Sequence, residues 1–230
     1  MKKIITIITA FILLVACQHE TPTSIPEEGV VEYDVMYSGN IKTNNMMGKM
    51  LPTKIKGCYN KDGFKLNTQA GLGMVKISVV ATTTDSYLTL CINGDKYITP
   101  FSKLFTIEDY QKRNSQVEIK ENSEIENIAG WDSKTTTVIC QSPIGKIKIE
   151  TYYAPDERLN KKLKDSPVPN VPGLITAIKV TTIDSNIVVM LNQLYAKDIS
   201  NEEFARPSMH KETNRSYIDS LIFSNIQNNL

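Results

Sequence analysis

Few residues in this chain could start acid–base or nucleophilic chemistry. There are two histidines, His19 and His210. A hydrolase needs a base beside its nucleophile, and His usually supplies it. Neither His has a Ser or Asp neighbour in a GxSxG-type turn, so both read as solvated surface groups. His19-Glu20 lacks the second His that would complete HExxH. Gly71-Leu72-Gly73-Met74 has neither the third glycine nor the strand–turn–helix setting of a phosphate cradle, and reads as a flexible apolar loop. Glu121, Glu124 and Glu126 carry charge enough for calcium, but no Asp/Asn/Gly ligand pattern surrounds them; a solvated turn is the simpler reading. Lys161, Lys162 and Lys164 read as the exposed face of a short helix. No catalytic residue, no metal and no cofactor is expected, and the chain reads as a non-enzyme.

Four cysteines remain to be placed. Cys58, Cys91 and Cys140 are 33 and 49 residues apart, which excludes CxxC redox chemistry and the short ligand spacing of zinc sites. Each lies in a strand-like run, where a buried free thiol behaves as a small hydrophobe. An oxidising compartment would allow one disulfide among them, leaving one thiol over.

The fourth, Cys17, sits in a different context. Lys2 and Lys3 precede an uncharged stretch, Ile4 to Val15, which is too short for a bilayer core that needs about 20 helical residues. This is the layout of a secretory signal peptide. Leu14-Val15-Ala16-Cys17 resembles the lipobox of bacterial lipoproteins. That resemblance implies cleavage before Cys17, acylation of its thiol and amino group, and stable anchoring, since each buried methylene adds about 0.8 kcal/mol. Gln18 after the cysteine, by the usual sorting rule, implies the outer membrane of a Gram-negative envelope, with the domain facing periplasm or surface. The net charge of +1 falls to −1 once Lys2 and Lys3 leave with the signal. Attachment must then come from lipid and not from a basic patch, and nucleic acid is not expected as a partner.

The elements that would position any site are mostly strands. Val31, Tyr33, Val35 and Tyr37 alternate with Glu32 and Asp34. Asn60-Lys61-Asp62-Gly63 and Asn93-Gly94 mark hairpins, as does Asp184-Ser185-Asn186 between Ile175–Ile183 and Ile187–Tyr195. Val75–Val79, Leu88–Ile92, Val117–Lys120, Thr135–Cys140 and Ile147–Tyr153 continue the pattern. About ten strands with one polar face each predict an antiparallel sheet wetted on one side. Leu104–Arg113, with Thr106 and Asp109 at capping-box spacing, and Asp156–Lys164 predict short helices. The proline-rich run 166–173 excludes regular structure. Residues 1–16 are the signal peptide, 17–27 a lipidated N-terminus and polar tether, 28–207 one domain and 208–230 a weakly structured tail.

Ile128-Ala129-Gly130-Trp131 leads into a β-branched strand, and Val171-Pro172-Gly173-Leu174-Ile175 leads into the last hairpin. Glu202-Glu203-Phe204-Ala205-Arg206-Pro207 closes the domain. With the lipobox, these segments resemble the LolA/LolB-like superfamily of lipoprotein carriers and receptors, with GLPGLI-type and related uncharacterised outer-membrane lipoproteins. The resemblance spans roughly residues 28–207. It implies a mainly β fold: a curved antiparallel sheet forming an open half-barrel, with two or three short helices and a concave apolar face able to hold acyl chains. Tyr33, Val35, Met74 and Trp131 are candidate ligand contacts, as are Met46, Met47 and Met50, whose loop suits either an adaptable apolar surface or gap-filling core. The expected function is a lipid-anchored, non-enzymatic envelope protein binding lipid or another hydrophobic ligand. The alternative is an interaction module contacting another envelope protein, with no small-molecule ligand.

Overall fold

The structure, a computed structural model, describes residues 24–39, 51–100, 117–142, 145–156, 171, 173–214, 216–218 and 220–222. The expected helix at Leu104–Arg113 lies outside the described residues, as does all of Asp156–Lys164 except Asp156.

Among the described residues, twelve strands form one curved, unclosed sheet. In chain order they are β1 (Gly29–Gly39), β2 (Lys54–Asn60), β3 (Gly63–Ala70), β4 (Val75–Thr82), β5 (Ser86–Ile92), β6 (Asp95–Pro100), β7 (Val117–Ile128), β8 (Trp131–Ser142), β9 (Gly145–Pro155), β10 (Gly173–Thr181), β11 (Ser185–Ala196) and β12 (Lys211–Glu212). The spatial order is β12-β6-β5-β4-β3-β2-β1-β11-β10-β9-β8-β7. Every pairing is antiparallel except β12 on β6. The expected antiparallel half-barrel is present, with twelve strands among the described residues where about ten were expected.

Tight turns explain why neighbours in sequence pair. Asn93 and Gly94 both take positive φ (52° and 90°), the condition for a two-residue hairpin whose twist matches its strands. Ala129 and Gly130 do the same (53° and 83°) between β7 and β8. This turn had no Asn or Asp to announce it. Strand β7 runs on to Ile128, so the acidic group Glu121, Glu124 and Glu126 lies along an exposed strand and not in a solvated turn.

Directly paired residues share a face, and the ladders carry that face across the sheet. One row reads Tyr97, Leu90, Ile77, Thr68, Ile55, Tyr33, Leu191. The next reads Thr99, Leu88, Val79, Leu66, Gly57, Val31, Leu194. From β5 through β1 to β11 this face holds no charged residue. Glu32, Asp34, Lys54, Lys56, Lys65 and Lys76 all point the other way, and Lys56 bonds its register partner Glu32 at 2.6 Å.

Two clusters pack on the apolar face. One gathers Val31, Tyr33, Tyr59, Phe64 and Leu191. The other gathers Val75, Leu88, Leu90, Ile92 and Tyr97 beneath Ile218 of the tail. A third lies on the opposite face, where Phe204 covers Val80, Tyr87 and Ile98. The covering strap is fastened by the Tyr87 hydroxyl, which donates to Phe204 O (3.0 Å) and Ala205 O (2.8 Å), and by Asn60 Nδ2, which donates to Ile199 O (2.9 Å). Cys58 and Cys91 are free thiols on this opposite face; burial pushes the Cys58 thiol up. His210, read as a solvated group, is half-buried, and burial with nearby Lys96 lowers its pKa.

Gly57 marks the closest approach within the second row. A Cβ there would stand 2.7 Å from Leu66 Cδ2 and 2.7 Å from Val31 Cγ2. Overpacking of this kind costs about 1–3 kcal/mol. Gly57→Val should therefore lower the thermal midpoint by several degrees in a calorimetric scan, whereas Lys56→Val at the adjacent exposed position should shift it little.

Candidate functional site

The apolar face is the feature of the fold with the most unspent binding capacity. Its deeply buried members are floor; its half-buried members present accessible hydrocarbon. Ile55, Leu66 and Val189 are packed against the first cluster yet only partly enclosed, and Ile77 and Val79 stand in the same relation to the second. Ile178, paired with Val189, extends the band onto β10. Five strands thus supply accessible aliphatic side chains on this face, β2, β3 and β4 on one side of β1 and β11 and β10 on the other, while Tyr33 and Val35 of β1 between them are buried.

Strand alternation places Tyr33 and Val35 on this face, and both are buried. Burial, and secondarily the Tyr59 phenol, push the Tyr33 phenol well up, so it stays neutral at any physiological pH. Trp131 is half-buried and packs against the cluster that contains Tyr33. Met74 is 45% exposed immediately before β4, outside those clusters. Cys17, Met46, Met47 and Met50 lie outside the described residues.

Toward β8 the face changes character. The row Val35, Val189, Ile178 continues to Thr151 and Thr136, both buried, and the Thr136 Oγ1 has no hydrogen-bond partner among the described residues. Nearby, Ser133 and Thr176 hydroxyls bond each other at 2.8 Å with both residues fully enclosed. Sequence reasoning passed over these hydroxyls, because a Thr-rich strand looks the same whether its Oγ atoms are wet or buried. Among the described residues no three His, Cys, Asp or Glu side chains converge on a common point, and no helix is long and apolar enough to cross a membrane.

Gly71-Leu72-Gly73, read as a flexible apolar loop, is a tight turn between β3 and β4 in which all three residues take positive φ. Leu72 holds φ 57° and ψ 30° and is 91% exposed. A left-handed leucine costs about 1–2 kcal/mol, and no burial offsets it here. Leu72→Asn should accordingly raise stability by up to about 1 kcal/mol in a denaturant titration, since Asn tolerates that conformation. A loss would show that the exposed leucine is held by contacts the isolated chain retains.

No family model and no curated protein matches the chain. Among solved structures it is similar to the Mycobacterium tuberculosis lipoprotein LppX, at 9% identity and a TM-score of 0.33, over 72% of this chain and 85% of that one. It is similar to LprF from Mycobacterium bovis, at 11% identity and 0.33, over 78% and 90%. A LolA superfamily protein from Nitrosomonas europaea is similar at 8% identity and 0.34, over 79% and 92%. Likeness at this level assigns no ligand and no activity to this chain, whose open half-barrel stands on its own strand order.

Proposed function

We propose that this chain is a lipid-anchored, non-enzymatic envelope protein that holds a lipid or another hydrophobic ligand on the apolar face of its half-barrel. The observation that carries the reading is the uncharged strip of half-buried aliphatics, Ile55, Leu66, Ile77, Val79, Ile178 and Val189, on a face that a folded sheet would otherwise bury or make polar. Hydrocarbon laid on such a strip gains about 25 cal/mol for each Å² of apolar surface removed from water. Tyr33, Val35 and Trp131 would shape the strip from beneath and beside it. Met74, with Met46, Met47 and Met50, would extend it.

A second reading, a docking module for another envelope protein, draws on the opposite face. There Met36 (47% exposed) and Met190 (37% exposed) lie on adjacent strands, their register partners being Val188 and Asp34. This patch is small beside the strip, and the ligand reading accounts for more of the sheet.

Native mass spectrometry of the domain from Gln18 onward, purified from a Gram-negative periplasm without detergent, tests the ligand reading. Extra mass that organic extraction removes and identifies as lipid is expected. A clean apo mass, with no uptake of added phospholipid or fatty acid, would favour the docking reading. The double variant Ile77→Gln with Ile178→Gln should reduce uptake at least tenfold while costing little stability, because both positions are only half-buried.

Anchoring is tested separately. Cys17→Ala should abolish incorporation of radiolabelled palmitate and move the protein from the membrane pellet to the soluble fraction. Continued pelleting of an unlabelled variant would remove the lipid anchor from the account.

A further inference from the structure

One sector of the apolar face is occupied by the chain itself. The strap carrying Phe204 lies on the opposite face. Arg206 then leaves it, bonded to Asp85 (3.1 Å) and Glu212 (2.8 Å), with its guanidinium over the Tyr87 ring. The chain passes the β6 edge, where Lys211-Glu212 pairs parallel to Tyr97-Ile98 and Thr213 N donates to Ile98 O at 2.9 Å. Beyond the edge residues 216–218 and 220–222 are helical and lie on the apolar face. Asn214 Oδ1 accepts from Tyr217 N (2.9 Å) as its N-cap. Ile218 is fully enclosed among Val75, Leu88, Leu90, Ile92 and Tyr97, with Leu221 and Ile222 at its flanks.

The fastenings of this segment are weak by type. A two-residue strand adds little ladder, and a helix of about two turns has no stability of its own. The Lys211–Asp95 pair (3.3 Å) is exposed on both sides, where ion pairs contribute least. The Tyr217 ring meets Tyr97 edge-on at 5.7 Å while itself remaining partly in water. What keeps the tail down is the insertion of branched aliphatic side chains between β4, β5 and β6, the same interaction a hydrocarbon chain would make there.

We propose that the apolar sector formed by Val75, Leu88, Leu90, Ile92 and Tyr97 is a hydrocarbon subsite, and that residues 211–214, 216–218 and 220–222 are its built-in competitor, covering it until an acyl chain displaces Ile218. The inference rests on the ligand reading above and adds where one end of the ligand lies and what must leave. Segments with such local fastening open at far lower free energy than the sheet that supports them, so displacement needs no disruption of the barrel. In the empty protein the tail shields the most strongly apolar sector from water; in the loaded protein it is free.

The test uses the full mature domain and cis-parinaric acid, an eighteen-carbon fluorescent fatty acid. Ile218→Ser, which weakens the competitor and leaves the apolar sector on β4, β5 and β6 unchanged, should bind the probe about tenfold more tightly than the parent chain. Hydrogen exchange on the unmutated protein provides a readout that no variant's folding can confound: probe binding should accelerate exchange of the amides of 216–222 and slow that of β4 and β5. Probe bound by the parent chain with unchanged or weaker affinity in Ile218→Ser, or with added protection of 216–222, would overturn the competitor while leaving the ligand reading in place. Failure of both proteins to bind would overturn the two together.

Discussion

The pairing of β1 with β11 is the constraint on which the rest of the sheet depends. Remove it, and the order separates into two meanders, β1 through β6 and β7 through β11, each made of neighbours in sequence. The junction is eleven register pairs long, from Gly29 with Ala196 to Gly39 with Ser185, with one bulge at Glu32/Tyr33. It joins residues more than 140 positions apart, so a large loop-closure entropy opposes its formation. Because a one-residue slip exchanges faces, the same register decides that Tyr33, Val35 and Tyr37 join Leu191, Val189 and Ile187. A slip would carry Glu32 and Asp34 onto the apolar face instead.

From that junction follows the division of labour between the two faces. One face is uncharged from β5 to β11 and carries the two largest clusters; the other takes the lysines and carboxylates. The exception is the sector at Val80, Tyr87 and Ile98, where apolar side chains point outward. The strap from Ile199 to Arg206 covers them, and Asn60 and Tyr87 tie it by donating to its carbonyls. A sheet with apolar residues on both faces must be covered twice. Here the same C-terminal stretch does both, first outside with Phe204, then inside with Ile218.

This economy separates floor from surface. Leu90, Val80 and Ile98 are sealed, whereas Ile55, Leu66, Ile77 and Val79 on β2–β4, and Ile178 and Val189 on β10–β11, keep part of their area open on the same face. A compact core would close that area, and a solvated sheet would make it polar. Its persistence supports a ligand-holding role, in which stability and binding draw on the same hydrocarbon surface.

What the sequence by itself determined is what period and turn chemistry encode. Alternation in Val31–Tyr37 assigned those side chains to one face, Asn93-Gly94 assigned a hairpin, and the residue types excluded the usual catalytic constellations without locating a ligand. The Ala129-Gly130 turn escaped because alanine has no preference for positive φ; the β7–β8 ladder on either side imposes it. Likewise, the lack of a calcium-ligand pattern suggested a solvated turn around Glu121, Glu124 and Glu126, but all three lie in β7, where Glu121 and Glu126 pair with β8 across a register shift. Only the tertiary structure decided that β1 lies beside β11, that Trp131 meets the cluster containing Tyr33, and that the tail crosses an edge to bury Ile218. Local patterns report which side of a strand is apolar, because side-chain period is a property of a few residues. Which strand lies alongside, and which segment covers it, is settled by burial and register summed over partners distant in the chain.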